Sequence, residues 1–292
     1  MMTTARPATQ SDYHQRMLRV LVHIQQHLDQ PLLLDELAAI AHFSPYHFHR
    51  IFRGMIGETV AQHIKRLRLE RAALRLRTTS RSIIDIAIEA GYESHEGFIR
   101  AFAGSFACSP SSYREKAAAL SQPEGEHEGQ PLQSREVPAM DVTVKTIPDM
   151  HIAFVRHVGP YGDVGPSWET LFDWAGERDL IDGETRYFGM CHDDPDITEA
   201  QQLRYDACLT VHGDVRPSGV VGIQTISGGR FACTLHVGPY HTLNETYIAL
   251  FGGWFASQGV EPGPPPCLEF YLNEPDCTPP EELLTEVCAR IE

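Results

Sequence analysis

The sequence HVGPY occurs twice in this chain, and each copy ends a longer repeat. IPDMHIAFVRHVGPY at 147–161 corresponds to ISGGRFACTLHVGPY at 226–240, with apolar and polar residues alternating before a Gly-Pro turn. DDPDITEAQQLRYDACLTV at 193–211 corresponds in the same way to NEPDCTPPEELLTEVCARI at 273–291, at an offset of 80 residues. Alternation of period two predicts strands, and Gly-Pro predicts a turn. This part of the chain is therefore expected to fold as two equivalent units.

The sequence of each unit predicts a strand, a turn, a helix, a second strand, an acidic loop and a third strand, in that order. The helices are expected over 167–178 and 243–258, where aromatic and leucine side chains recur at helical spacing. The two repeats extend over about 142–211 and 223–291, within a domain of residues 139–292. We expect an α+β fold for this domain, with HVGPY forming the turn between strand and helix.

The first 120 residues carry a second duplication, this time with helical spacing. LLLDELAAIAH is a short apolar helix, after which Ser44 and Pro45 begin another helix as N-cap and first residue. SIIDIAIEAGYES repeats the pattern, with Ser94 as the N-cap of HEGFIRAFAGSF, and the long helix ETVAQHIKRLRLERAALRLR connects the copies. Residues 1–120 are thus predicted to be an all-α domain of two helix-turn-helix units, and the whole chain a multidomain protein. Matching residues lie 50 positions apart, namely Phe48 and Phe98, Arg50 and Arg100, and Phe52 and Phe102.

The net charge of −15 divides unequally between these two parts. Residues 1–120 hold 15 Lys+Arg against 11 Asp+Glu, a net of +4, which leaves 9 against 28, a net of −19, for residues 121–292. The net charge of the first part therefore favours binding to a polyanion, and that of the second part favours binding to cations. Between them, SQPEGEHEGQPLQSREVP at 121–138 lacks periodicity and predicts a flexible acidic linker.

The first domain resembles the AraC/XylS family of transcription regulators. The resemblance lies in ELAAIAHFSPYHFHRIFRGMIGETVAQHIKRLRLERA and IIDIAIEAGYESHEGFIRAFAGSFACSPSSYR, although His42 and Ala107 stand where the family often has Gly, and Val60 where Pro is usual. It implies that the second helix of each unit enters a major groove, the two about 34 Å apart on one face of the duplex. The groove-facing residues implied by position are Tyr46, His49 and Arg50 in the first unit and His95, Glu96, Gly97 and Arg100 in the second. The basic residues Arg53, Lys65, Arg66 and Arg68 are interpreted as phosphate partners.

The second domain is similar to the gyrase-inhibitor-like family of small-molecule-binding domains, through DDPDITEAQQLRYDACLTV, ISGGRFACTLHVGPY and PPCLEFYLNEP. The resemblance implies a concave, aromatic-lined cavity and a glutamate on a late strand, here Glu269. In CLEFYLN the period of two independently puts Cys267, Glu269 and Tyr271 on one strand face, opposite an apolar face of Leu268, Phe270 and Leu272 that is expected against the helices. Alignment of the repeats places Gly189 at the position of Glu269, which would leave room for a ligand. The predicted ligand-binding residues are Glu269, Tyr271, Tyr161, Tyr240 and Gly189.

This sequence lacks the signatures of several classes of protein. No Ser-His-Asp order, phosphate-binding loop, dinucleotide fingerprint or metal-ligand spacing occurs, so we expect no catalytic residue, cofactor or metal site. HDDPD at 192–196 is interpreted as an acidic surface turn rather than a metal loop. The seven cysteines contain no CxxC pair and are expected to be reduced, mostly buried thiols. The apolar runs are too short to span a membrane and the N-terminus has no apolar core, which predicts a cytoplasmic location.

These features predict a sequence-specific transcription regulator whose C-terminal domain binds a small amphipathic or cationic aromatic effector. The expected partners are double-stranded promoter DNA, the effector and RNA polymerase, and two recognition helices in one chain favour a monomer on DNA. One alternative is a hydrolase or sequestering protein that acts on a toxic small molecule, with Glu269 and Tyr161 or Tyr240 as acid and polariser. The other alternative is a C-terminal module that binds a protein partner.

Overall fold

The computed structural model describes residues 7–120 and 140–292, so the predicted linker at 121–138 lies outside the described residues. The described part of the first domain is entirely helical, as predicted. No helix in the described ranges is both long and apolar enough to cross a membrane. The helices are α1 (Pro7–Gln26), α2 (Leu34–Ile40), α3 (Pro45–Ile56), α4 (Val60–Thr78), α5 (Ile83–Glu89), α6 (His95–Phe106) and α7 (Pro110–Leu120).

The predicted N-caps of the two equivalent helices are confirmed. The Ser44 side chain accepts a hydrogen bond from the backbone N–H of His47 at 3.4 Å, and Ser94 accepts one from Gly97 at 3.1 Å. Each cap satisfies a backbone donor that would otherwise have no partner in the first turn. Because both helices begin at the same point of the repeat, their exposed faces carry equivalent residues.

Two residues that stand in place of glycine have left-handed backbone conformations. His42 has φ 54° and Ala107 has φ 55°, and Ala107 is the C-cap of α6. Its equivalent 50 positions earlier is Gly57, the C-cap of α3, with φ 86°. A Cβ in this region contacts the following carbonyl, which strains any residue other than glycine.

We expect Ala107→Gly to stabilise the protein by about 0.5–1 kcal/mol, since relief of left-handed strain exceeds the entropy that glycine adds to the unfolded chain. Urea denaturation of the full chain measures the change. The matched control is Gly57→Ala. The added Cβ meets nothing within 4 Å, so this substitution should destabilise the protein by about 1 kcal/mol through the positive φ alone. An unchanged midpoint for Ala107→Gly would contradict the strain argument.

Each helix-turn-helix unit has its own core around a pair of phenylalanines. Phe48 and Phe52 have no exposed surface in the first unit, and Phe98 and Phe102 have none in the second. The connecting helix α4 contributes Leu67 to the first core and Leu69 to the second. It therefore fixes the two units relative to each other, as the sequence predicts.

The second domain is one eight-stranded antiparallel sheet with helices, which confirms the predicted α+β class. Each repeat has one more strand than predicted, because β1 and β5 precede the strands recognised from the sequence. The sheet order is β1-β6-β8-β7-β3-β4-β2-β5. The strands are β1 (Val142–Ile147), β2 (Met150–Val158), β3 (Tyr187–Cys191), β4 (Arg204–Thr210), β5 (Val221–Ile226), β6 (Gly229–Val237), β7 (Cys267–Tyr271) and β8 (Leu284–Arg290). The helices are α8 (Gly165–Gly176) and α9 (Leu243–Ile248), the latter continuing through a π-helical segment (Ala249–Phe255) into α10 (Ala256–Gln258).

The two repeats exchange their leading strands and meet at the centre of the sheet. β1 of the first repeat pairs with β6 of the second, while β5 of the second pairs with β2 of the first. At the centre β3 pairs with β7, and Gly189 lies directly opposite Glu269. The predicted equivalence of these two residues therefore becomes a contact between neighbouring strands.

The predicted packing of strand β7 is wrong. The domain's own helices cover the Glu269 face, since α8 packs with Tyr205 and Ala207, and the segment from α9 to α10 packs with Cys267. Leu268 and Phe270 belong to a core on the opposite face, against which Leu18 and Val22 of α1 pack. Leu272 is 55% exposed and belongs to neither core. The apolar face thus packs against the first domain, which a strand pattern alone does not reveal.

Candidate functional site

The predicted DNA-binding residues lie on the outward faces of α3 and α6. Helical spacing buries the phenylalanines of these helices and turns the polar residues between them toward solvent. Tyr46 is 66% exposed and His49 is partly exposed. Gly97 is also partly exposed, and the remaining side chains are exposed, namely Arg50, Arg53, His95, Glu96 and Arg100.

Arg50 is oriented by a neighbour on its own helix. Its Nη1 donates a hydrogen bond to the Tyr46 hydroxyl at 2.8 Å, and its guanidinium lies 5.6 Å from the centre of that ring. The remaining donors of the guanidinium fork can still reach a base edge. The two residues thus form one unit on the exposed face of α3.

Two of the predicted phosphate partners have internal roles instead. Arg66 pairs with Glu58 at 2.8 Å and with Glu70 at 3.1 Å. Arg68 donates to the backbone carbonyls of Leu28 at 2.9 Å and Gln30 at 2.7 Å. The bonds to Glu58, Leu28 and Gln30 attach α4 to the segments before it, and they engage both guanidinium groups within the protein.

Arg53 and Lys65 are both exposed and remain predicted phosphate contacts.

Glu269 lies in the second domain, at the centre of the helix-covered face of the sheet. It is 5% exposed, and its carboxylate accepts three hydrogen bonds. The Tyr247 hydroxyl donates to Oε1 at 2.7 Å, the Cys191 thiol to Oε1 at 3.2 Å, and the Tyr271 hydroxyl to Oε2 at 2.9 Å. All three donors are neutral, so they satisfy the oxygens without balancing the charge.

The neighbouring hydroxyls stay protonated. Burial raises the pKa of Tyr247, and the nearby Cys191 and Glu269 raise it further. The pKa of Tyr271 is raised by burial, by Tyr205 and by Glu269. Both groups therefore act as hydrogen-bond donors toward the carboxylate at any physiological pH.

Aromatic rings surround this carboxylate on the helix side. The Tyr271 ring lies edge-on to Trp168 at 5.7 Å and to Tyr240 at 5.3 Å, measured between ring centres. The Tyr205 hydroxyl bonds that of Tyr271 at 2.8 Å and accepts from Trp168 Nε1 at 3.1 Å. Tyr240 is 38% exposed, so this cluster reaches the surface at that residue.

The structure brings four of the five predicted ligand residues together, namely Glu269, Tyr271, Tyr240 and, on the neighbouring strand, Gly189. Tyr161 lies one ring farther away, 6.1 Å from Tyr205 between centres, and its hydroxyl donates to the Asp193 carbonyl at 2.6 Å. The hydroxyl of Tyr161 is thus bonded to a backbone carbonyl, and its role in ligand binding stays a prediction.

Gly189 lies opposite Glu269 as predicted, but it leaves no open space. A Cβ at this position would overlap the ring of Tyr205, which fills the space above the glycine. Sequence reasoning missed Tyr205 and the role of Tyr247. The repeat offset of 79 residues at HVGPY makes Tyr247 equivalent to Trp168, and both direct a polar hydrogen to the centre of the cluster. That equivalence is the signal that could have identified Tyr247, whereas nothing comparable points to Tyr205, whose counterpart at an offset of 80 is Thr285.

A buried ionic network connects the sheet to α1. Gln25 Nε2 lies 2.7 Å from His192 Nδ1, and His192 Nε2 lies 2.9 Å from Asp206. Arg156 pairs with the same carboxylate at 2.7 Å. Burial alone would raise the pKa of Asp206, but the charge of Arg156 and the His192 hydrogen bond hold it well below its usual range. The aspartate thus stays charged in a fully buried position.

The HDDPD turn is bonded to the first domain and is not simply an acidic surface turn. Arg77 at the end of α4 contacts Asp194 at 3.1 Å and Asp196 at 3.3 Å. Beside these contacts a cavity of about 360 Å³ lies between the domains. Its lining includes Gln25, Glu70 and Arg71 from the first domain and His192, Asp194 and Thr198 from the second.

Comparison with known proteins gives a match for each domain. A family model described as GyrI-like small molecule binding domain matches residues 140–292, and one described as Helix-turn-helix domain matches residues 37–116. The right origin-binding protein of Escherichia coli (strain K12) is 41% identical over 95 residues, which are 32% of this chain and 33% of that protein. The regulatory protein SoxS of Salmonella typhimurium is 39% identical over 104 residues, 35% of this chain and 97% of SoxS.

The match thus spans about a third of the length of the right origin-binding protein. Among solved structures, the EcmrR C-terminal domain is 20% identical with a TM-score of 0.45, covering 53% of this chain and 98% of that domain.

Proposed function

Because this chain belongs to the GyrI-like family of small molecule binding domains and joins that domain to an AraC-type helix-turn-helix domain, we propose that it is an effector-controlled transcription regulator. In this proposal the first domain reads a promoter element and the second binds a small cationic aromatic compound. RNA polymerase is the proposed third partner, and a monomer on DNA remains a prediction.

The observation that carries the proposal for DNA is the equivalent exposure of Arg50 and Arg100. They lie at the same position of two capped helices, and α4 packs into the core of both units. Arginine binds guanine bidentately through O6 and N7, which is the commonest base-specific contact in the major groove. Two such residues on a rigid frame fit two adjacent segments of one duplex.

The proposal for the effector depends on the unbalanced charge of Glu269. A buried carboxylate with only neutral donors is stabilised by any cation that approaches it. The rings of Tyr240, Tyr271 and Trp168 add cation–π attraction for an organic cation. Tyr240 is the exposed member of this cluster, so the ligand is proposed to enter beside it.

Coupling between the domains is proposed to run through their direct contacts. Gln15 Nε2 donates to the carbonyls of Gly219 and Val221, both at 2.9 Å, and Gln25 contacts His192. His192 follows β3 directly, and Gly189 on β3 lies opposite Glu269. A ligand changes transcription only if it binds two states of this interface with different affinity.

A selection from random duplexes tests the proposed function. The full chain is mixed with a library of double-stranded DNA at physiological salt, and bound sequences are recovered with and without cationic aromatic compounds. We expect enrichment of two short motifs about one helical turn apart, with a yield that changes when the effector is present. Recovery of random sequences only would refute specific promoter recognition.

The hydrolase alternative receives less support from the geometry. Of its two candidate polarisers, Tyr161 donates its hydroxyl proton to a backbone carbonyl rather than toward Glu269, and Tyr240 contacts the cluster through the ring of Tyr271. The carboxylate itself is enclosed by three donors. We therefore propose binding rather than turnover as the role of this cluster.

Reversal of one interface charge should weaken the contact between the two domains. Arg77→Glu places a carboxylate against Asp194 and Asp196, and each surface ion pair is worth about 0.2–1 kcal/mol. Amide hydrogen exchange in residues 192–198 should therefore become a few-fold to about tenfold faster. The control is Arg216→Glu, because Arg216 has an 85% exposed side chain in the second domain. Equal exchange in wild type and Arg77→Glu would show that this contact does not hold the domains together.

A further inference from the structure

Three side chains of types that can ligate a metal ion lie together on strands β6 and β8, although their spacing in the sequence does not predict a metal site. Cys233 and Cys288 are directly opposite each other in this antiparallel pair. Glu286 lies two residues before Cys288 on the same strand and therefore on the same face. The two sulfur atoms and a carboxylate oxygen of Glu286 all lie within 4.8 Å of one another.

We propose that Cys233, Cys288 and Glu286 bind a thiophilic divalent metal ion such as Zn²⁺ or Cd²⁺. A zinc–sulfur distance of about 2.3 Å in tetrahedral geometry separates two thiolates by about 3.8 Å. The observed spacing therefore needs only small rotamer changes to reach coordination. Water completes the fourth position.

The surroundings balance the charge of such a site. Two thiolates and one carboxylate carry −3, so a divalent ion leaves −1. Lys145 on the neighbouring strand β1 forms an ion pair with Glu286 and supplies the remaining positive charge. The arrangement therefore resembles metal sites in which a residue that is not itself a ligand orients a ligating carboxylate; here Lys145 would orient Glu286.

Access to the site is from the Glu286 side. Cys233 is 2% exposed and Cys288 has no exposed surface, whereas the side chain of Glu286 is 22% exposed. An ion can first meet the carboxylate and then the two thiols. The buried sulfurs are at the same time shielded from large oxidants.

The first repeat lacks this site and provides an internal control. An offset of 80 residues makes Asp206 and Cys208 equivalent to Glu286 and Cys288. There, however, the residue opposite Cys208 is Phe154, and Asp206 pairs with Arg156. One thiol with an occupied carboxylate cannot hold a thiophilic ion.

The proposed metal site is separate from the proposed effector site. Cys233 and Cys288 belong to the core that contains Leu268 and Phe270, on the face of the sheet opposite Glu269. Failure of effector binding would therefore leave the metal proposal intact, and the reverse also holds.

Metal binding must release protons. An unperturbed cysteine is a thiol at neutral pH, whereas the ligand of a metal ion is the thiolate. The ion replaces the S–H proton of each cysteine by a metal–sulfur bond, and both protons go to solvent. About two protons per bound ion are therefore expected at neutral pH.

The test is a Cd²⁺ titration of the reduced full chain, followed by thiolate-to-metal charge-transfer absorption and by proton release. We expect one ion per chain and loss of the absorption in Cys233→Ser and Cys288→Ser. Lys145→Met should weaken binding about tenfold, as for other outer partners of a metal ligand. Cys208→Ser and the exposed-site variant Cys277→Ser should leave the titration unchanged.

Cys233→Ala keeps the core apolar and separates loss of a ligand from loss of folding, which circular dichroism monitors. The proposal is overturned if wild type and Cys233→Ala bind Cd²⁺ equally, or if binding releases no protons. It is also overturned if the reduced protein shows no charge-transfer absorption when Cd²⁺ is added.

Discussion

Replacement of Arg50 and Arg100 together by alanine should weaken specific DNA binding at least about thirtyfold, because each bidentate contact to guanine is worth about 1–3 kcal/mol. Both arginines are exposed on capped helices whose buried faces do not involve them, so the fold should be unchanged. Fluorescence anisotropy with a selected duplex measures the affinity. Arg50 also loses its hydrogen bond to Tyr46, and for that reason each single variant is measured as well.

Two controls separate base recognition from general charge. Arg216→Ala removes an exposed arginine from the second domain and should leave binding unchanged. Arg53→Ala should weaken binding to all sequences and reduce the slope of log affinity against log salt by about 0.9. If the Arg50 and Arg100 variants change specific and random duplexes equally, these arginines contact phosphates and the groove-facing assignment fails.

Glu269→Gln should abolish stabilisation of the protein by cationic aromatic ligands. A ligand at 100 times its dissociation constant stabilises the wild type by about 2.7 kcal/mol. Loss of one partner of a buried charge pair costs about 2–5 kcal/mol, which removes most or all of this gain. Thermal unfolding of the full chain with benzyltrimethylammonium, and with its uncharged isostere neopentylbenzene, measures the effect.

The exposed acid Glu274 gives the matched control, since Glu274→Gln removes the same charge from the surface. It should leave ligand stabilisation unchanged. Tyr247→Phe removes one donor from the Glu269 carboxylate and should strengthen its attraction for a cation. Equal stabilisation of the wild type by the cation and by its uncharged isostere would show that the carboxylate does not select the ligand.

Much of the fold follows from local patterns in the sequence. Interactions within one helix or one turn determine the N-caps Ser44 and Ser94 and the burial of the paired phenylalanines. These features recur at an offset of 50 residues, which is visible in the sequence. The strands ending in HVGPY depend on alternation within a few residues. Such signals are short-range, and the described structure confirms the helices and strands that they predict. The leading strands β1 and β5 were not predicted, because each pairs with a strand of the other repeat.

The sequence by itself determined the two domain types, the two equivalent capped helices and the repeat equivalence of Gly189 and Glu269, because repeats and period-two patterns can be read without knowing which elements become neighbours. Only the tertiary structure decided what surrounds these residues. Tyr205 fills the space at Gly189, and three donors from separate elements enclose Glu269. The meeting of Cys233 with Cys288 likewise depends on strand pairing across 55 positions of sequence. Long-range contacts of this kind are set by packing, which no local pattern encodes.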